Sequence, residues 1–205
     1  MAWRGEDEIA NRRASNFRPL ASPVVTIDSD LPVVRSVRRV LDSRDLSREQ
    51  LQHGVLEAIG DTLGWLTGTV WLLDREFNVL RPGAIWRARV HRATAFEALT
   101  RTMTFEKGVG LPGQVWKDGK ARWTTEVARE SNFPRLVAAH AEGFHGALAF
   151  PLLNDGVVGV IDFFTDELRS PISSLLEVFD VIGHEVGKAL DTSDEGERRG
   201  PVDAT

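Results

Sequence analysis

The chain predicts an α+β domain, an antiparallel sheet layered with helices. Two observations carry this. Paired apolar runs with strand character are joined by short turns, Thr67–Asp74 with Asn78–Trp86 and Phe144–Leu153 with Val157–Thr165. Helical patterns with apolar residues every three or four positions open and close the same region. Adjacent hairpins make an antiparallel sheet, and amphipathic helices cover its faces.

The elements follow in order. Residues 1–30 lack periodicity and carry mixed charge, so a flexible N-terminal arm is expected there. From Pro32 to Leu41, Val33, Val34, Val37, Val40 and Leu41 alternate with Arg35, Arg38 and Arg39. That face is either a basic surface for an anionic partner or the solvated side of a packed helix, and the second reading is the simpler. Ser47 and Gln50 form a capping-box pair at a helix start. Leu51, Val55, Ile59 and Leu63 then make one stripe, and Gly64 ends it.

The first hairpin turns across Asp74-Arg75-Glu76. Ala93–Thr102 is compatible with a helix, Ala121–Val127 with a short strand and Phe133–Glu142 with a short helix. The second hairpin turns at Asn154-Asp155-Gly156, where Asp and Gly tolerate the positive φ a tight turn requires. A last helix runs from Pro171 to about Leu190, with Ile172, Leu175, Phe179, Ile182, Val186 and Ala189 on one stripe. Leu176, Val178 and Val181 form a second stripe, so this helix needs two partners: its own sheet and another chain. The domain is placed at residues 31–190, its core at about 48–190, and residues 191–205 read as a flexible C-terminal tail.

Composition narrows the function. Charged residues make up 27% and the formal net charge is −5, which gives no pull toward nucleic acid or an anionic membrane. No apolar stretch approaches the ~18 residues of a membrane span. The charged N-terminus is unlike a signal peptide, so a cytoplasmic protein is expected. Cysteine is absent, which removes disulfides, thiolate metal sites and thiol nucleophiles together.

The stretch GVGLPG, Gly108–Gly113, matches the G-x-G-x-x-G fingerprint of dinucleotide sites. Its context does not. The following helix can run only from about Pro112 to Asp118 before Gly119, too short for a crossover helix, and no acid ends a second strand at the spacing required. The glycines are therefore read as a tight turn into a short helix that shapes a pocket wall.

In order along the chain stand Trp86, Phe96, Phe105, Gly108-Val109-Gly110-Leu111-Pro112-Gly113 with Trp116, Trp123 and Phe133-Pro134-Arg135. They are followed by Ala139, Gly143, Ala147-Leu148-Ala149-Phe150-Pro151, Gly159-Val160 and Phe163-Phe164. Over about residues 48–190 this series resembles the GAF domains of bacterial signalling proteins and phosphodiesterases. The resemblance implies a GAF-like antiparallel sheet with helices on both faces and a non-catalytic sensory role. The family's methionine-(R)-sulfoxide reductases and its covalent bilin receptors both use cysteine, which this chain lacks. The cyclic-nucleotide signature is not evident.

The ligand-pocket candidates are Trp86, Phe105, Trp116, Trp123, Phe133, Arg135, Phe144 and His145, an aromatic set suited to an apolar or aromatic effector. Haem is the alternative cofactor, with His140 or His145 as its ligand by position in the family. No histidine pairs at helical spacing for a metal. The dimer-helix candidates are Leu51, Val55, Ile59, Leu175, Phe179, Ile182 and Val186. They predict a homodimer that signals by changing helix pairing, or a ligand-free dimerisation scaffold. With no kinase, cyclase or DNA-binding segment evident, output through a signalling partner is expected.

Overall fold

Local chemistry sets the first boundaries. The structure, a computed structural model, describes residues 31–91 and 94–198, with side chains through residue 191. The arm expected at 1–30 lies outside these residues. Helix α1 (Pro32–Leu41) starts on proline and buries Val33, Val34 and Val37. Helix α2 (Arg48–Leu63) opens on the reciprocal cap: the Gln50 N–H donates to Ser47 Oγ at 3.2 Å and the Ser47 N–H donates to Gln50 Oε1 at 2.9 Å. Gly64, left-handed at φ 68°, ends it.

Strands β1 (Thr67–Asp74) and β2 (Val79–Arg87) form the first hairpin. Its turn is held by Asp74, whose Oδ1 accepts the N–H groups of Glu76 and Phe77, both at 3.0 Å. Arg81, donating to Asp74 Oδ2, and the Phe77 N–H hold that carboxyl below the usual range. Helices α3 (Thr94–Thr102) and α4 (Gly110–Asp118), strand β3 (Arg122–Thr124) and helix α5 (Leu136–Ala141) follow. Strands β4 (Gly146–Leu153) and β5 (Val157–Thr165) pair across a turn with Asp155 at φ 48° and Gly156 at φ 124°. Helix α6 (Ser173–Arg198) closes the described chain.

The sheet order is β2-β1-β5-β4-β3 and every pair is antiparallel, so the last strand in sequence is the central one. Strand alternation splits the core into two layers. Leu148, Phe150, Ile161 and Phe163 face α1, α2 and α6; Ala147, Ala149, Val160 and Phe164 face α3, α4 and α5.

Several expected boundaries move; β4 starts at Gly146 rather than Phe144 and α6 at Ser173 rather than Pro171. The strand expected over Ala121–Val127 ends at Thr124, because Glu126 Oε1 takes the Ala128 N–H at 3.2 Å and starts a single 3₁₀ turn, Val127–Arg129. The helix expected over Phe133–Glu142 narrows to Leu136–Ala141, because Phe133 and Arg135 turn into the core as separate anchors. Helix α6 continues to Arg198, so the tail expected from residue 191 begins as helix.

The larger correction concerns the dimer stripe. Leu51, Val55, Ile59, Phe179, Ile182 and Val186 are buried in the core of the single chain, and Leu175 is half-buried. The reason is backbone proximity. A Cβ on Gly183 would stand 2.2 Å from the Pro151 carbonyl oxygen, and one on Gly187 2.4 Å from the Leu153 nitrogen. Only glycine lets α6 lie this close to β4, and that approach carries the whole stripe onto the sheet. Phe179 stacks on Phe150 with centroids 4.7 Å apart. Beyond the sheet, α6 packs on α1 and α2 of the same chain, and Arg38 of α1 clasps Glu185 through Nε and Nη2, the shortest contact 2.7 Å.

Phe179→Ala is expected to cost about 3–5 kcal/mol in urea denaturation. Phe179→Asp, which places an unpaired charge in that core, should lose the cooperative transition altogether. A folded, monomeric Phe179→Asp variant by circular dichroism and sedimentation would restore the dimer assignment.

Candidate functional site

The face of the sheet under α3, α4 and α5 has a buried arginine–aspartate pair at its centre. Asp162 occupies the middle of an apolar strand and is 0% exposed; period-two alternation points it to the same side as Val160 and Phe164. Arg135, which caps α5, is 1% exposed and donates from Nη2 to Asp162 Oδ2. Its Nη1 donates to Thr100 Oγ1 at 3.5 Å. Burial pushes the Asp162 carboxyl up, and the Arg135 guanidinium opposes that. The Trp71 and Thr69 side chains also favour the charged form, while Arg135 Nε completes no hydrogen bond within the chain.

Five rings surround the guanidinium. Its carbon lies 4.9 Å from the Phe164 centroid, 5.0 Å from Phe96, 5.2 Å from Trp71, 5.3 Å from Phe105 and 5.9 Å from Phe133. Ring faces within about 6 Å attract a cation electrostatically, more strongly where water is excluded. The space is thus an aromatic chamber with an acid on its floor and an arginine inside it.

Beside it lies a cleft of about 140 Å³, walled by Leu111, Gln114, Thr124, Glu130, Asn132 and Phe133 among others. Phe133 separates cleft from chamber, since it lines the first and faces Arg135 in the second. The glycine loop forms one wall. Gly108 and Gly110 adopt φ 89° and 62°, and a Cβ on Gly113 would stand 2.2 Å from the Glu106 carbonyl oxygen. What the loop binds is a side chain: the Gly110 N–H donates to Asn132 Oδ1 at 2.9 Å, and Asn132 Nδ2 donates to the Gly108 carbonyl at 2.8 Å. The amide staples the start of α4 to the 130–135 loop.

Of the eight pocket candidates, Phe105, Trp116, Phe133, Arg135 and Phe144 belong to this layer. Trp86 does not; β2 turns it to the other face, over Gly60 of α2. Trp123 borders the cleft, but its ring packs on the other face against Trp65, centroids 5.5 Å apart, and its Nε1 donates to the Arg169 carbonyl at 2.9 Å. His145 is exposed at the start of β4 with Nδ1 3.1 Å from Glu126 Oε2. The Ala128 N–H, and then His145, hold Glu126 below the usual carboxylate range. His140 is exposed on α5. Neither histidine lines cleft or chamber, and the chamber is filled by the chain's own side chains, so these residues do not fit a haem. Among the described residues no cluster of three histidines or acids could hold a metal ion.

Sequence reasoning missed Asp162, Trp71, Thr100, Phe164 and Asn132 as site residues. For Asp162 a signal existed: it is the one charge inside the run VVGVIDFFT. The others show their role only by position in space.

Arg135→Ala leaves the buried Asp162 without its cation and should cost about 3–5 kcal/mol at neutral pH. With its cation gone, the Asp162 pKa rises further by burial alone, so the folded variant holds a proton that the unfolded chain releases. Its stability should therefore be greatest in acid and fall as pH rises past the ordinary carboxyl value of about 3.9. Urea denaturation of wild type and variant across that range reads the difference in slope.

Comparison with known proteins agrees with this architecture. The sequence pattern described as the GAF domain matches residues 45–191. The GAF domain of a phosphoenolpyruvate-protein phosphotransferase from Coxiella burnetii superposes with a TM-score of 0.68 at 11% identity, covering 82% of this chain and 97% of that one. The free methionine-R-sulfoxide reductase of Neisseria meningitidis, solved with its substrate, gives 0.64 at 16% identity over 80% of this chain and 89% of that one. The A. aeolicus nlh2 GAF domain, solved in an inactive state, gives 0.60 at 24% identity over 78% and 94%. No curated protein matches the sequence. No described helix is long and apolar enough to cross a membrane. The match over residues 45–191, the five-stranded antiparallel sheet and the helices on both of its faces together place this chain in the GAF domain family.

Proposed function

We infer that the chain is a non-catalytic sensory domain that binds a small effector at the cleft and chamber and passes the event to α6. The observation that carries this reading is the position of the cleft. It opens between α4, β3 and the 130–135 loop, with polar groups from Gln114, Thr124 and Glu130 facing apolar Leu111 and Phe133. A concave site with a few converging polar groups on an apolar wall is the ordinary form of a small-molecule site. The absence of cysteine supports a binding role over the thiol chemistry of the reductases.

The route to α6 is short. Strand β4 alternates Ala147 and Ala149 toward the ligand side with Leu148, Phe150 and Leu152 toward α6. An effector that favours one placement of β4 also favours one seating of Gly183 and Gly187 on it, which is a population shift in the helix. The 26-residue α6 spans roughly 39 Å and presents the changed end to a partner. Assembly as a homodimer has the outer sides of α2 and α6 available, the inner stripes being core.

A ligand-free dimerisation scaffold is the second reading, and the filled chamber favours it. Native mass spectrometry of the purified chain separates the two: added mass supports the sensor, and a clean dimer that no compound in an effector screen stabilises supports the scaffold. For a bound effector, Asn132→Ala, which frees the cleft wall, should weaken affinity by about tenfold or more, given about 1 kcal/mol per hydrogen bond lost. Unchanged affinity would move the site away from the cleft.

A further inference from the structure

The chamber has the chemistry of a ligand site and holds a ligand-like group supplied by the chain. Buried ion pairs that serve only the fold have their remaining donors and acceptors satisfied. Here Arg135 Nε, fully buried, completes no hydrogen bond within the chain, and only Thr69 and Trp71 lean on the Asp162 carboxyl beside it. Five rings stand within about 6 Å of this single cation, the range in which ring faces attract positive charge. The carrier is also slight. Arg135 arrives on a six-residue helix with no side-chain cap, and Val137, two positions on, is 84% exposed.

We propose that the aromatic chamber over Asp162 is an organic-cation site, shaped for a guanidinium group, whose resident occupant is the chain's own Arg135. The inference rests on reading this face as the effector site, and it names the ligand class as organic cations. A carboxylate floor with aromatic walls selects for positive charge delocalised over a flat or apolar group. A free cation entering past Phe133 replaces the guanidinium on Asp162 and releases the 130–142 segment, so occupancy and the position of α5 change together. The tether gives Arg135 a high effective concentration, so free guanidinium competes weakly with it in the wild-type protein.

The test is chemical rescue of the full-length chain. Arg135→Ala is titrated with methylguanidinium, against methylurea as the neutral analogue and sodium chloride at equal ionic strength. The expected result is a saturable rise in Tm of about 3–6 °C with methylguanidinium alone. The wild type, whose site is filled, and the Arg135→Ala/Asp162→Asn double variant should show no such rise. Where Arg135→Ala does not fold, the same additive should restore native far-ultraviolet circular dichroism on refolding, and Arg135→Lys, with an ammonium in place, should fold without it. Equal effects of methylurea and methylguanidinium, or none from either, overturn the proposal. If native mass spectrometry finds a neutral or anionic effector while rescue fails, the cation inference falls and the sensory reading stands.

Discussion

A carboxylate at the centre of a five-stranded sheet, out of reach of water, has to be met by a cation. Asp162 is on β5, the middle strand, with apolar neighbours on both sides of it in sequence. Arg135 meets it from outside the sheet, and much of the second core layer is arranged by that meeting. Phe96 of α3, Phe105 before the glycine loop, Phe133 before α5 and Trp71 of β1 all turn toward the guanidinium. Replacing such a pair with apolar side chains of equal volume is often neutral or stabilising in proteins.

The two layers are coupled through the strands they share. Phe163 and Phe164 are consecutive residues of β5 yet belong to opposite layers, the first with Trp65 and α6, the second with Arg135. Leu148 and Ala149 of β4 repeat the arrangement. Because α6 seats its glycines on the β4 backbone, it has no side-chain cushion to absorb a shift of that strand. This close seating explains why the helix stripe is core.

The glycine loop shows how one pattern can serve two ends. In a dinucleotide site, loop N–H groups at a helix start grip phosphate. In this chain the Gly110 N–H is taken by the Asn132 amide, and the loop's positive φ values bring α4 against the 130–135 segment. The loop is thereby committed to holding two walls together, which is how it contributes to the cleft.

Much of the fold was legible in local chemistry. Ser47 with Gln50, the left-handed Gly64 and Gly119, Pro32 in a first turn and Asp155-Gly156 each bound an element through contacts within a few residues. Hairpin pairing and the absence of cysteine followed the same way, since both depend on neighbours in sequence or on composition. The site was legible only in part. Arg135, Phe105 and Phe133 stood out as charge and aromatics near the glycines, but Asp162, 27 residues from Arg135, became its partner only when β5 took the centre of the sheet. Trp86 and Trp123 went to the opposite face because strand register, set by pairing with β1 and β4, decides which way each side chain points. Apolar stripes on α2 and α6 say that a helix is covered without saying by what; the close approach of α6 to β4 assigned that cover to the chain itself.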